Sequence, residues 1–215
     1  MKSDVKNNKN NDLASLNLAA NTSRNLGLYK AQRTYDQLQA LLASCLLEFD
    51  RPGVYHVRIR PNSPRTMAEG VSYLRNLFTR KGIRYGWVKA TEADPDQKGL
   101  HLHLFIVMET ANRKSCEELK DALWGFYRNG YCHSFYLVQP KQPGELGQDW
   151  IELETPYLPL TSATLPDAVY WMSYALKQRS KDTVLKIGKR PVLFRFPVPR
   201  PRGIRKASAQ TGGAA

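Results

Sequence analysis

The sequence predicts an α+β domain, with four strands and two intervening helices in the order β-α-β-β-α-β, one helix ahead of them and one behind. Two periodicities predict it. Apolar residues recur every three to four positions in four stretches and alternate in others. Glycine and proline fall between these stretches. Composition agrees, since 215 residues that are 42% hydrophobic and 10% aromatic suffice for one domain with a proper core.

Residues 1–27 include Asn7-Asn8-Lys9-Asn10-Asn11 and read as a disordered arm. A helix is expected over 31–49, with Leu38, Leu41, Leu42, Cys45 and Phe49 at helical spacing, and Pro52-Gly53 breaks it. Residues 54–60 form a strand: Tyr55, Val57 and Ile59 face one way, and Val54, His56, Arg58 and Arg60 the other. Pro61 and Pro64 end it. The next helix, 66–81, puts Met67, Val71, Leu74 and Phe78 on one face and closes at Gly82. A strand over 83–92 leads through Asp94-Pro95-Asp96 and Gly99 into a third strand ending at Met108. Residues 114–129 are helical, with Cys116, Leu119, Leu123 and Phe126 inside; Gly130 stops them, and 131–138 are a strand. A Pro- and Gly-rich connection over 139–163 holds a short candidate strand near 150–154. A helix over 165–179, begun at Pro166, precedes a strand-like patch at 191–196. The domain is expected to span 28–202, and 203–215 read as a disordered tail.

This order is the ferredoxin-like split βαβ arrangement, with both helices on one face of an antiparallel sheet. Its first and third strands are the central pair. The third reads Leu100-His101-Leu102-His103-Leu104-Phe105-Ile106-Val107, so His101 and His103 share a face opposite Leu100, Leu102, Leu104 and Ile106. The leucine face would meet the helices, and the histidine face would stay open. His56 and Arg58 of the first strand would lie on that same face; His56 could line the site there, though a solvated position is the expected one, and His133 is expected to be structural. A lone strand histidine is ordinarily a satisfied core or edge residue. Two of the chain's four, side by side in an otherwise apolar strand, are costly unless a ligand uses them, and a divalent metal is the natural user.

Charge narrows the partner. The chain carries 32 Lys and Arg against 19 Asp and Glu, a net +13. Residues 177–206 hold eleven Lys or Arg and one acid, Asp182, and so account for ten of those thirteen charges. Such a concentration calls for phosphate or an anionic membrane. No apolar run approaches the roughly 20 residues of a membrane span, and the N-terminus has no apolar signal core, so nucleic acid is the better reading. Cys45, Cys116 and Cys132 show no CxxC or disulfide spacing and read as buried thiols in a reducing cytoplasm.

In the last helix Tyr170, Tyr174 and Lys177 are spaced i, i+4, i+7 and share a face, while Ala168, Val169, Met172, Ala175 and Leu176 share the opposite one. The apolar face can do the packing, which leaves the tyrosines and Lys177 to line a cleft or the surface. A tyrosine there can attack a phosphodiester. Its hydroxyl, of pKa about 10, is neutral at pH 7, and a nearby lysine or metal favours the phenolate.

His101-Leu102-His103 followed by Tyr174-Ala175-Leu176-Lys177, with Tyr170 supplying a two-tyrosine pattern, resembles the HUH endonucleases. These include rolling-circle replication initiators and relaxases; the chain is most similar to the inovirus-type initiators and their prophage relatives, over roughly residues 54–202. The resemblance implies an HUH core of the ferredoxin-like kind with a C-terminal tyrosine helix. It implies a Mg²⁺- or Mn²⁺-dependent nick in single-stranded DNA or an origin hairpin, leaving a 5′-phosphotyrosine and a free 3′-OH, in the cytoplasm of a bacterial host. Tyr174 would be the nucleophile, Tyr170 a second nucleophile or a DNA-positioning residue, and Lys177 a phosphate or metal neighbour. Glu92 would join His101 and His103 as the third metal ligand, with Asp94 and Asp96 as substitutes. Arg58, Arg179, Lys181, Lys186, Lys189 and Arg190 would hold DNA. There is no GxxxxGK[ST] loop, so a host helicase and polymerase would be needed.

Two other readings compete. His101-x-His103 with Glu109 suggests a cupin or a two-His-one-carboxylate iron site, though the glutamate spacing is one residue off the cupin pattern. A ferredoxin-like DNA-binding module or regulator without catalysis would keep salt-dependent binding and lose the need for metal and tyrosine.

Overall fold

The computed structural model describes residues 31–93, 99–109, 111, 113–142, 151–152, 154–173 and 192–197. Among them are four helices, α1 (Ala31–Glu48), α2 (Pro64–Arg80), α3 (Arg113–Arg128) and α4 (Leu165–Ser173). The strands are β1 (Gly53–Pro61), β2 (Tyr85–Ala93), β3 (Leu100–Met108), β4 (Cys132–Val138), β5 (Lys141–Gln142), β6 (Ile151–Glu152), β7 (Leu158–Pro159) and β8 (Val192–Arg195). The main sheet runs β4-β1-β3-β2-β8, with β7 paired to the start of β1, and every pairing is antiparallel. The fold is therefore α+β and compatible with the ferredoxin-like arrangement, with β1 and β3 central as expected. β8 extends the sheet beyond β2, and β5 and β6 form a separate two-stranded ribbon.

Local chemistry sets the element ends. Ser63 caps α2 through a reciprocal capping box with Thr66, and Pro64 occupies the first turn, where its missing N–H costs nothing. Gly82 and Gly130 follow α2 and α3 with φ of +65° and +72°, the left-handed conformation that glycine adopts without strain.

Alternation then builds two cores. Tyr55, Val57 and Ile59 of β1 and Leu102, Leu104 and Ile106 of β3 pack against Met67, Leu74 and Phe78 of α2 and Cys116, Leu119, Leu123 and Phe126 of α3. On the opposite face Val54, Val88, Ala90, Phe105 and Val107 pack against Leu38, Leu41, Leu42 and Cys45 of α1 and Leu165, Ala168, Val169 and Met172 of α4. This corrects the expectation of an open second face. α2 and α3 do share one face, but α1 and α4 cover the apolar part of the other, because their own apolar stripes and the sheet's Val54, Phe105 and Val107 need mutual burial.

All three cysteines are free and buried. No helix among the described residues is long and apolar enough to cross a membrane.

Gly70 lets α2 pack tightly against α3. A Cβ there would collide with the Phe126 ring and stand 2.8 Å from Cβ of Tyr131. Gly70→Ala is expected to lower stability by about 1–3 kcal/mol despite alanine's better helix propensity. A denaturant titration that finds the variant equal to or more stable than the wild type refutes this packing.

Candidate metal centre

Strand alternation and register alone bring the candidate ligands together. His101 and His103 leave β3 on one face, and β2 places Glu92 directly opposite His101 and Ala90 opposite His103. A glutamate can reach both its direct and its diagonal cross-strand neighbours. Oε2 of Glu92 stands 3.1 Å from Nε2 of His101 and 3.4 Å from Nε2 of His103. Ligand atoms each about 2.1 Å from one ion stand about 3.0–3.4 Å apart in octahedral or tetrahedral geometry, so the separations fit a shared ion. The three donor atoms all lie within 4.8 Å of one another. His101 is 8% exposed and His103 4%, and the Glu92 side chain keeps 15% of its surface. Two imidazoles and a carboxylate, little hydrated and converging, could hold a divalent cation.

A third histidine stands behind the pair. His56 was expected to be solvated; it is 4% exposed, and its Nε2 is 2.8 Å from Nδ1 of His103. Register explains this, since His56 lies opposite Phe105 and therefore diagonal to His103. Its ring stacks on Phe105 with centroids 4.0 Å apart, and Trp171 of α4 meets it edge-on at 5.6 Å. Burial, His103 and Arg58 push the His56 imidazole well below its ordinary pKa, and Glu92 only partly opposes them, so His56 is neutral at pH 7. Sequence reasoning had His56 on this face but favoured a solvated position for it, and Trp171 is the residue that it missed. Period-two alternation had put His56 on this face, but only the β1–β3 register and the seating of α4 show it buried there.

Arg58 stands opposite His103 in register, half-buried, with its guanidinium carbon 5.8 Å from the ring centroid of Tyr136 on β4. Tyr136 is exposed. His133 is exposed as well.

Tyr170 is half-buried on α4, directly before Trp171. Ala168, Val169 and Met172 are buried on the apolar side of that helix, as their spacing predicts. Tyr174, Lys177, Arg179, Lys181, Lys186, Lys189 and Arg190, together with Asp94 and Asp96, lie outside the described residues. The structure thus brings Glu92, His101 and His103 together, with Arg58 alongside on β1.

Glu109, the carboxylate of the cupin-like reading, is elsewhere. It lies six residues beyond His103, roughly 20 Å along a strand, and pairs with Arg84, which also bridges to Glu48. That reading loses its third ligand, and the antiparallel sheet with four helices is not an all-β barrel.

No protein-family model, curated protein or solved structure matches the chain.

Mn²⁺ is expected to stabilise the protein. At a hundredfold excess over its dissociation constant the gain is about 2.7 kcal/mol, or about 5–10 °C in melting temperature for a domain of this size. His101→Ala, His103→Ala and Glu92→Ala should each remove most of it while keeping the circular dichroism of the wild type. A wild-type melting curve that Mn²⁺ leaves unmoved rules the centre out.

Proposed function

We propose that the chain is a metal-dependent DNA strand transferase with an HUH-type ferredoxin-like core, one that nicks single-stranded DNA or an origin hairpin to initiate rolling-circle replication of a phage, prophage or plasmid. The observation that carries this reading is the convergence of Glu92, His101 and His103 at one end of the central strand β3. α4 supports it. Its Trp171 touches the histidine that bonds to His103, and it carries Tyr170 and leads in sequence to Tyr174 and Lys177.

Glu92, His101 and His103 would bind Mg²⁺ or Mn²⁺, and their two nitrogen donors favour Mn²⁺ of the two. When bound, the ion supplies positive charge at a non-bridging phosphate oxygen. The chain's own groups do the rest. Tyr174 Oη attacks phosphorus and gives its proton to solvent. The bond from phosphorus to the 3′ oxygen breaks, and that oxygen takes up a proton as the free 3′-OH. The 5′ phosphate stays on the tyrosine as a diester, so bond count and charge balance. Lys177 holds the phosphate and favours the phenolate. Tyr170 is placed by the i, i+4 spacing to accept the strand in a second transfer or to position it. Arg58, Arg179, Lys181, Lys186, Lys189 and Arg190 hold the DNA backbone. A host helicase and polymerase in a bacterial cytoplasm would complete replication.

The test is covalent trapping. Incubated with pooled single-stranded oligonucleotides and Mn²⁺, the wild type should give a DNA adduct stable on a denaturing gel. Tyr174→Phe, His103→Ala and a chelator should each reduce it at least a hundredfold. Tyr170→Phe separates one-tyrosine from two-tyrosine chemistry. If DNA from the protein's own replicon gives no adduct while salt-sensitive binding persists, the chain is a DNA-binding module and the enzymatic reading is wrong.

A further inference from the structure

A histidine ligates through one ring nitrogen, and a neutral imidazole has one nitrogen with a lone pair and one with a proton. Which is which depends on the hydrogen bond that the second nitrogen makes. Here His103 turns Nε2 toward Glu92 and Nδ1 toward Nε2 of His56. For Nε2 of His103 to face a cation, its proton must sit on Nδ1 and be donated, which requires His56 to accept through Nε2 and carry its own proton on Nδ1.

His56 is built to hold that orientation. The ring is 4% exposed, stacked within 12° of parallel on Phe105 and closed edge-on by Trp171, which itself meets Phe105 with centroids 5.3 Å apart. In this enclosure Nε2 of the ring stands 2.8 Å from Nδ1 of His103. Mere filling of the space would need no nitrogen there. His56 Nδ1 is buried without a hydrogen-bond partner among the described residues, so it is through Nε2 that the polar ring bonds to its neighbour. An apolar ring of the same shape would otherwise serve better.

We propose that His56 is a positioning residue for the metal centre: held by Phe105 and Trp171, it accepts the Nδ1 proton of His103 and so presents the Nε2 lone pair of His103 to the ion. The inference rests on the metal-centre reading and is independent of DNA cleavage. Because Trp171 belongs to α4, the same ring also ties the placement of that helix to the ligand.

The experiment measures Mn²⁺ affinity of the full chain by electron paramagnetic resonance, on wild type, His56→Phe and His56→Gln. His56→Phe keeps a flat ring between Phe105 and Trp171 and removes the acceptor; its affinity should fall about 10- to 100-fold. A glutamine amide oxygen can take the place of the imidazole nitrogen, so His56→Gln should recover most of the loss. Nitrogen-15 spectra of the wild type loaded with diamagnetic Zn²⁺ provide a readout free of any folding defect. They should show His56 with a protonated Nδ1 and a bare Nε2. Equal Mn²⁺ affinity in His56→Phe and wild type, or a proton on Nε2 of His56 in the loaded protein, overturns the proposal alone. A wild type that binds no Mn²⁺ overturns it together with the metal centre.

Discussion

One face of β3 changes character along its length, and the rest of the structure depends on that change. Phe105 and Val107 are apolar and must be covered; His101 and His103, on the same face, must reach polar partners. α1 and α4 supply the cover with Leu38, Leu41, Leu42, Val169 and Met172. The polar end keeps Glu92 beside it instead of an apolar side chain. The opposite face carries Leu102, Leu104 and Ile106, buried under α2 and α3, so the strand cannot slip by one residue without driving two imidazoles into that core. Register is therefore strongly specified, and the positions of Glu92, His56 and Arg58 relative to the two histidines follow from it.

The cluster of three histidines and a carboxylate is an arrangement that water alone does not favour. Two Nε2 atoms around one carboxylate oxygen are satisfied by two protons or by one cation. In the first case each imidazole spends its only proton on Glu92, and Nδ1 of His103 must accept from His56. In the second the cation meets all three donors at once, and its charge offsets the cost of keeping a carboxylate with 15% exposure. The low pKa of His56 limits the choices, since a neutral His56 brings no second positive charge beside the ion. A purely structural cluster has no evident need for so many titratable groups in one place, where leucine and valine would fold at lower cost.

Much of this was legible from residue spacing. The i, i+2 histidines, the alternation that puts Val88, Ala90 and Glu92 on one set, and the βαββαβ order are local patterns, and local patterns survive folding. Glu92 opposite His101 needed only the antiparallel pairing of β2 with β3. What spacing could not reveal depends on contacts distant in sequence. The stripe on α1 was visible, but not that it would cover the histidine side of the sheet. His56 looked solvated because its face of the sheet was expected to stay open, and Trp171, more than a hundred residues later, helps to enclose it. β7 was not expected, because two residues ending in proline carry too little pattern to be read as a strand; it forms because Gly53 and Val54 leave an edge that Leu158 and Pro159 fill.

α4 joins the second core to the candidate metal centre. Thr161 and Thr164 bond reciprocally at its start, which fixes the angle at which the chain enters the helix. Leu165, Ala168, Val169 and Met172 then hold it against α1 and the sheet, and Trp171 seats on His56 and Phe105. A helix fixed by a close-packed core has little freedom to drift, because interiors at crystal-like density resist even small displacements. The proposed strand transfer, with its nucleophile and ion on separate elements, would need that rigidity, since a misplacement of about 1 Å between reacting groups can cost a hundredfold in rate. The second core is in this sense part of the site. It covers the apolar half of the histidine face, and in doing so it sets the distance from the tyrosine-bearing helix to the three residues that converge at the other half.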